Sequence, residues 1–563
     1  MISKNPIKGQ FDIILITAEY YDDHPLSPAG MIARVLDAKD YSVGIIEKPK
    51  TRDDFTRMGV PKLCFCITSG SIDSMLNNYT PLKKKRNEDV HDKEHVTDMP
   101  DRAVISYCNR IREYFKGNDR DPAHNVKIVI GGIEASLRRF THYDYWDNGI
   151  RRGILFDSRA DILVYGNGEK QVLEIAGRLR KKQDMKGIEG TCVISKDLPK
   201  NFMMLPSFTN VKEDKRRFCD MQRKFSNWEN LAQEYDNNYL LQYRYPEYTT
   251  KDLDWIYSLD FSRKLHPFSL LKMARFSVIT HRGCIGKCNF CSIALHQGDK
   301  IISRSEENIL NEIRRLTRHP DFKGYIDDLG GPSANMYGMD CRTLCRNDCI
   351  YCMNLDKSHR RLISLLRKAR QIKGVRKIFI RSGIRYDLAL NSREYIKEIS
   401  NYHISGCLKI APEHFSEKVL KLMNKNVRGF DEFKSLFESI NAPKGQELKY
   451  YLMIGHPGDD LSEILILREK IGKLKNVEQF QFFTPTPMTV SSCMYWTGMN
   501  PYTMERVKII YDYNTKKKLK RALLGHIEKK IGKGMDNKPI EGKNSEKRRD
   551  LWKDSQKKSG KRR

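Results

Sequence analysis

Read for apolar and polar positions alone, the chain falls into two stretches in which strand and helix patterns alternate. In the first, residues 12–17, 41–47, 63–68, 126–130 and 161–165 are brief apolar runs, each ended by polar or glycine residues and separated by helical spacing. Such runs read as strands buried on both faces. Five of them with intervening helices predict an open, mostly parallel α/β sheet. The polar stretch 79–100, with its run Lys83-Lys84-Lys85-Arg86, breaks the rhythm as an insertion or exposed loop. Residues 197–265 are rich in Asn, Tyr, Asp and Arg without clear periodicity; Trp228, Tyr239, Tyr245 and Trp255 would be costly to leave in water, so the segment is expected to pack as a connector.

The second stretch is more regular. Strand patterns at 276–280, 324–328, 375–381, 407–410, 448–454 and 478–483 are separated by helical patterns at 305–318, 357–373, 392–402, 415–440 and 459–474. Six consecutive βα units predict a partial (β/α)6 barrel of the TIM type, with chemistry at the C-terminal ends of its strands. The expected organisation is therefore an N-terminal α/β domain over 1–196, a connector over 197–265, a barrel with a C-terminal helical extension over 266–533, and a basic, disordered tail over 534–563.

Charge and cysteine usage change this picture. The formal net charge is +30, from 101 basic and 71 acidic residues; residues 543–563 hold ten Lys/Arg against three Asp/Glu, a surplus of 7, which leaves +23 on the body. A basic body suits an anionic partner, and nucleic acid is the candidate, although a lysine-rich bias alone gives the same balance. The 14 cysteines bunch at 284–291 and 341–352, as metal ligation in a reducing compartment would have it, rather than a secreted disulfide framework. No run of about 18 apolar residues exists and the start lacks a signal-peptide core, so a soluble cytoplasmic protein with no membrane contact is expected.

The chemistry concentrates at Arg282-Gly283-Cys284-Ile285-Gly286-Lys287-Cys288-Asn289-Phe290-Cys291, where the first barrel strand ends. Three thiolates spaced Cys-x3-Cys-x2-Cys can hold a [4Fe–4S] cluster by three irons and leave the fourth open. A structural zinc site would ask for a fourth Cys or His, and none follows within the loop, although His281 and His296 lie nearby. Gly283 and Gly286 would let the backbone approach a cluster, or simply turn the chain. The loop resembles that of the radical S-adenosylmethionine (radical SAM) superfamily, which implies a [4Fe–4S] cluster on Cys284, Cys288 and Cys291, with S-adenosylmethionine at the open iron and an electron donor such as flavodoxin or ferredoxin. Radical SAM barrels also carry a glycine motif after the second strand, which here is matched by Gly330 and Gly331 in Asp327-Asp328-Leu329-Gly330-Gly331-Pro332. At the ends of the next strands Arg381 is a candidate for a carboxylate, Glu413 for ribose hydroxyls or an ammonium, and Gly455 in Gly455-His456-Pro457-Gly458 for the cofactor. Cys341, Cys345, Cys349 and Cys352 form a second group that suits zinc or a second iron–sulfur cluster. Cys64, Cys66, Cys108, Cys192, Cys219, Cys407 and Cys493 are dispersed and read as packing residues.

Longer strings resemble the YgiQ family of radical SAM proteins: Tyr21-Asp22-Asp23-His24-Pro25, Gly131-Gly132-Ile133-Glu134-Ala135-Ser136-Leu137-Arg138-Arg139, Tyr143-Asp144-Tyr145-Trp146, His281-Arg282-Gly283-Cys284, Asp328-Leu329-Gly330-Gly331-Pro332 and Lys409-Ile410-Ala411-Pro412-Glu413-His414. The resemblance covers nearly the whole chain except the tail. It implies reductive cleavage of S-adenosylmethionine to a 5′-deoxyadenosyl radical and names no substrate. The first sheet further resembles flavodoxin-like cobalamin-binding domains, whose Asp-x-His-x-x-Gly signature is matched by Asp22 and His24 but has Ser27 for the glycine, so cobalamin is not expected. Two alternatives stand beside this reading: radical SAM modification of RNA or protein, such as methylthiolation, and a non-catalytic, zinc-containing nucleic-acid-binding protein.

Overall fold

The computed structural model describes residues 1–5, 9–86, 98–115, 127–269, 271–341, 348–425, 428–474 and 477–524. Its strands are, in chain order, β1 (Ile2–Ser3), β2 (Ile13–Thr17), β3 (Val43–Glu47), β4 (Cys64–Thr68), β5 (Lys127–Gly131), a hairpin of β6 (His142–Asp144) and β7 (Gly149–Arg151), then β8 (Ile162–Val164), β9 (Thr191–Ser195), β10 (Met203–Met204), β11 (Leu231–Tyr235) and β12 (Asn238–Gln242). The five expected strands form the parallel run β3-β2-β4-β5-β8, the flavodoxin-like order. Their registers bring Thr17, Thr68 and Gly131 level at the C-terminal edge. All five residues of β2 and of β4 are buried, which is why their sequences do not alternate.

The stretch 197–265 continues this sheet. β9 pairs antiparallel with β8 and β12, β11 with β12, and β10 parallel with β11, giving ten strands in the order β1-β3-β2-β4-β5-β8-β9-β12-β11-β10. Beyond it, Asp22 accepts hydrogen bonds from His266 N (2.6 Å) and Ser269 Oγ (2.6 Å), which ties the lead into the barrel back to the first strand's end.

The second half supplies β13 (Val278–Ile279), β14 (His281–Arg282), β15 (Ile302–Ser303), β16 (Tyr325–Ile326), β17 (Leu329–Gly330), β18 (Lys377–Ile378), β19 (Cys407–Glu413), β20 (Glu447–Ile454) and β21 (Val477–Phe482). Parallel pairing runs from β13 to β17, β16 to β18, Ile384 to Ile410, and β19 to β20 to β21, in the sequential order of an open βα barrel. Helices Glu306–Leu316, Arg360–Arg370, Arg393–Tyr402 and Leu461–Gly472 lie where periodicity places them. The pattern at 415–440 divides into Glu417–Leu422 and Phe430–Asn441: Asn424 adopts a left-handed φ of 50° and Lys425 N returns to Leu420 O, a helix-ending turn.

Two cores result. The barrel strands and helices enclose one; the other fills the sheet and takes in Phe483, Met488, Cys493 and Tyr495, so the segment after β21 folds back onto the N-terminal sheet. A buried charge cluster links the lead segment to the barrel, with Glu312 paired to both Arg263 and Arg304. The tail assigned to 534–563 lies outside the described residues, and none of the described helices is long and apolar enough to cross a membrane.

Candidate cluster and cofactor site

β14 runs directly into the cysteine loop. Gly283 has φ +87° and a Cβ there would stand 1.8 Å from Lys300 O, so only glycine lets the loop lie against the strand that follows it. Cys284 N donates to Gly298 O, Asn289 N to Met423 O, Asn424 Nδ2 to Lys287 O, and Ser491 N to Asn289 O, all between 2.9 and 3.1 Å. The loop is thus pinned from three sides, at Gly298, at the Met423–Asn424 turn and at Ser491, before any ligand binds.

Cys284, Cys288 and Cys291 line one cavity of about 380 Å³ at the C-terminal ends of the barrel strands, together with Phe290, Arg381, Arg385, Glu413 and Lys425. Among its described lining residues there is no fourth Cys and no His. Burial pushes the Cys284 thiol up and the Cys291 thiol to about 12, so thiolates here call for a bound cationic centre. Arg385 Nη1 lies 4.0 Å from Cys288 Sγ, and a Cβ on Gly286 would come within 2.6 Å of that same nitrogen. Asp387 holds the guanidinium by two bonds of 3.0 and 2.5 Å. Soft sulfur donors with a cation alongside fit a [4Fe–4S] cluster with net negative charge.

Of the other expected site residues, Arg381 and Glu413 line this cavity. Glu413 sits at an irregularity in the β19 register with φ +67° and pairs with Lys425 at 3.3 Å. Gly330, Gly331 and Gly455 do not line the cavity. A Cβ on Gly331 would strike the His281 ring, one on Gly330 would crowd Ala334 and Ser382, and Gly455 N donates to Asp459 Oδ2 at 2.6 Å. Lys409 and Tyr451, joined Nζ to Oη at 3.1 Å, were not singled out from the sequence, nor were Arg385 and Lys425. The signal for the first two is the alternation in β19 and β20, whose half-buried positions 409, 411, 413 and 449, 451, 453 point away from the fully buried ones.

In the second cysteine group, Cys341, Cys349 and Cys352 pack with Cys284 against Ile285, Met336 and Leu355; Cys345 lies outside the described residues. No three described Cys, His, Asp or Glu side chains converge tightly enough to share one metal ion, whereas a cluster asks each thiolate to meet its own iron.

A second cavity, of about 370 Å³ and mostly apolar, lies between the sheet and the barrel mouth. Thr68, Gly131 and Gly166 at the strand ends face His281, Arg282 and His296, and Ile293 and Pro332 are shared with the cysteine cavity. Burial holds His281 and His296 down to about 4, so both rings are neutral. Arg282 donates to Glu169 (2.7 Å) and Tyr257 Oη (3.0 Å), which leaves its Nη1 and the His281 Nε2 buried without a partner. Pro25, Leu26 and Ser27 reach this cavity; His24 does not line it, and its Nδ1 accepts from Leu26 N while Nε2 lies 3.8 Å from Asp22.

Where β20 ends, Asp459 is fully buried 3.7 Å from His414 Nε2. Burial, opposed by the hydrogen bond from Gly455 N, pushes its carboxyl up to about 7, while burial lowers His414 to about 4 and His456 to about 3. The folded state therefore holds this proton more tightly than the unfolded chain, and the resulting stability is present below about pH 4 and lost as pH rises through about 7. Asp459→Asn should flatten the fall in stability between about pH 4 and 7, by about 1.4 kcal/mol for each pH unit in that window. An unchanged slope would mean that Asp459 is ionised throughout.

Comparison with known proteins agrees with this geometry. The radical SAM N-terminal model matches residues 4–279, the radical SAM superfamily model 278–471, and a domain of unknown function 478–530. UPF0313 proteins of Methanocella arvoryzae and Methanocaldococcus jannaschii are 42% and 43% identical over 91% and 94% of this chain, and 90% and 91% of their own. One from Clostridium botulinum is 41% identical over 93% of the chain and 86% of its own length. In fold the chain is similar to the radical S-adenosylmethionine methyltransferase TsrM from Kitasatospora setae, solved with cobalamin and a [4Fe-4S] cluster bound: TM-score 0.51, 12% identity, 86% of this chain and 75% of that one. With a radical SAM core behind a radical SAM N-terminal region, and relatives alike over nearly its full length, the chain belongs to the UPF0313 family.

Proposed function

We propose that the protein is a radical SAM enzyme in which Cys284, Cys288 and Cys291 hold a [4Fe–4S] cluster and S-adenosylmethionine fills the adjoining cavity. The observation that carries the reading is the convergence of those three cysteines, without a fourth Cys or His, on a charged cavity at the barrel's C-terminal face. Together these cofactors supply a one-electron reductive cleavage that yields a 5′-deoxyadenosyl radical, with the electron drawn from a donor such as flavodoxin or ferredoxin. The chain's own residues do the rest. Arg385 and Lys425 offset thiolate charge, Arg381 takes a carboxylate, and Glu413 takes an ammonium or ribose hydroxyls. Substrate enters from the interdomain cavity, whose wall at Ile293 and Pro332 is also the cofactor's. Although TsrM carries cobalamin, we read that cavity as a substrate site: His24 is turned to Asp22 rather than into it.

Anaerobic reconstitution should give about four irons and four sulfides per chain for this cluster, and 5′-deoxyadenosine on addition of dithionite and S-adenosylmethionine. Zinc at both cysteine groups with no cleavage would instead support a non-catalytic nucleic-acid-binding protein. The second cysteine group, lying against the first loop, favours a second metal and with it modification of RNA or protein, such as methylthiolation. Replacing Cys341, Cys345, Cys349 and Cys352 together should then lower total metal while the first cluster's absorption stays; unchanged metal makes them plain thiols.

A further inference from the structure

Far along the chain from the cysteines, a cavity of about 370 Å³ opens where the β6–β7 hairpin meets the helix Val490–Thr497 and the chain after it. Its walls are aromatic. Tyr143 and Trp496 stack with centroids 5.0 Å apart, and Tyr145, Tyr495 and Tyr511 complete the surround through edge contacts at 5.2 to 5.8 Å. Among the described lining residues its charge is wholly positive. Lys83 lies 4.6 Å from the Tyr145 ring and Lys215 5.2 Å from the Trp496 ring, and neither has a carboxylate partner among the described residues.

Behind the wall stands Lys516, 4% exposed, whose ammonium donates, among the described residues, only to the Tyr495 (3.1 Å) and Tyr145 (3.4 Å) phenols. A buried ammonium without a counter-anion is costly, and an approaching anion offsets that cost. Burial and the neighbouring Lys83 draw it down to about 8. The acids that face Lys83 are already engaged, Asp144 by Arg102 at 3.1 Å and Asp147 by Arg102 and Arg151 at 2.8 and 2.6 Å, while Asp512, the acid that faces Lys516, is exposed and accepts from Thr515 N at 2.7 Å. No carboxylate is among the described residues that line the cavity itself.

We propose that this cavity binds a nucleotide unit, its base against the half-buried Trp496, which the buried Tyr143 backs by stacking, and its phosphate on Lys83 and Lys215. Stacked rings beside unpaired lysines are the recognition chemistry of single-stranded nucleic acids, since every base offers a π-face and every linkage an anion. The site draws one wall from the N-terminal sheet domain and the other from the region of unknown function at 478–530, so it exists only when the two are packed together. It also gives the +30 net charge a particular place to act.

The test uses the full chain and a fluorescent 12-nucleotide single-stranded RNA across a salt series. Lys83→Glu with Lys215→Glu should weaken binding at least tenfold and flatten the salt dependence by about 1.4 in log–log slope, roughly 0.7 for each phosphate of a single strand that is no longer neutralised. Trp496→Leu should weaken binding about tenfold and leave the slope alone, a split that general loss of structure would not give. Uridine monophosphate as competitor separates the two sources: a strand is the ligand if the oligomer binds much more tightly, a free nucleotide if the two are equal. Binding unaltered by either set of substitutions, or duplex RNA competing as well as the single strand, overturns the assignment. Iron content and S-adenosylmethionine cleavage stay unchanged in all of these variants, because none of the three residues lines the cysteine cavity.

Discussion

Replacing Cys288 with alanine is expected to bring 5′-deoxyadenosine formation to background and to remove the charge-transfer absorption of the reconstituted protein. Cys284→Ala and Cys291→Ala should do the same, because each thiolate holds a separate iron and a three-ligand cluster has none to spare. The loop itself should survive: its hydrogen bonds to Gly298, Met423 and Ser491 are made by backbone groups that the substitutions leave in place. Far-ultraviolet circular dichroism should therefore be unaltered while the visible spectrum is lost. Cys407→Ala is the control, since Cys407 opens β19 at the opposite end from Glu413 and does not line the cavity. Undiminished cleavage by the Cys288→Ala protein would sink the cluster assignment.

Glu312→Leu is expected to cost about 3–5 kcal/mol, read as a lowered denaturant midpoint, because it strands two buried guanidinium groups. Glu312 is 2% exposed, Arg263 5% and Arg304 0%. Arg263 also donates to Arg275 O and Ser277 O, and Arg304 Nη1 to Ile279 O, so the two arginines cannot simply swing out to water. Removing all three charges at once, with Arg263→Met and Arg304→Met added, should recover much of the loss, since a well-packed apolar set avoids the desolvation of the ions. A midpoint unmoved by Glu312→Leu would show that the cluster does not couple the lead segment to the barrel helix Glu306–Leu316.

The parallel strands were legible because burial on both faces leaves unbroken apolar runs, as in Ile13–Thr17 and Cys64–Thr68. β11 and β12 were hidden for the opposite reason. Their sheet positions include Gln233 and Gln242, both fully buried and satisfied by polar partners, Gln233 by Thr141 N and Gln242 by Arg139 Nε, so hydropathy alone misses them. The cysteine loop announces itself by spacing, and Arg381 and Glu413 by their place at strand ends. Arg385 and Lys425 could not be read this way. Lys425 reaches the cysteines only because the chain turns left-handed at Asn424, and Arg385 because Asn335 clasps its backbone from another loop. Glycine in a motif says that something approaches the backbone; at Gly331 the neighbour is the His281 ring, which no spacing rule supplies.

The ten-stranded sheet ends on β1 and β10, each only two residues long. Unpaired strand edges are templates on which other chains add, and shortness is one way of blunting them. At either end so few backbone groups stand in register that a second molecule gains little by pairing there. The guard at one end is slight, however: loss of Ile2–Ser3 would leave β3 as the edge, with four of its five residues apolar or small and buried in the intact protein. Colloidal behaviour is thus decided at the first few residues, far from the cysteines, and a change there would show as aggregation well before it showed in the chemistry.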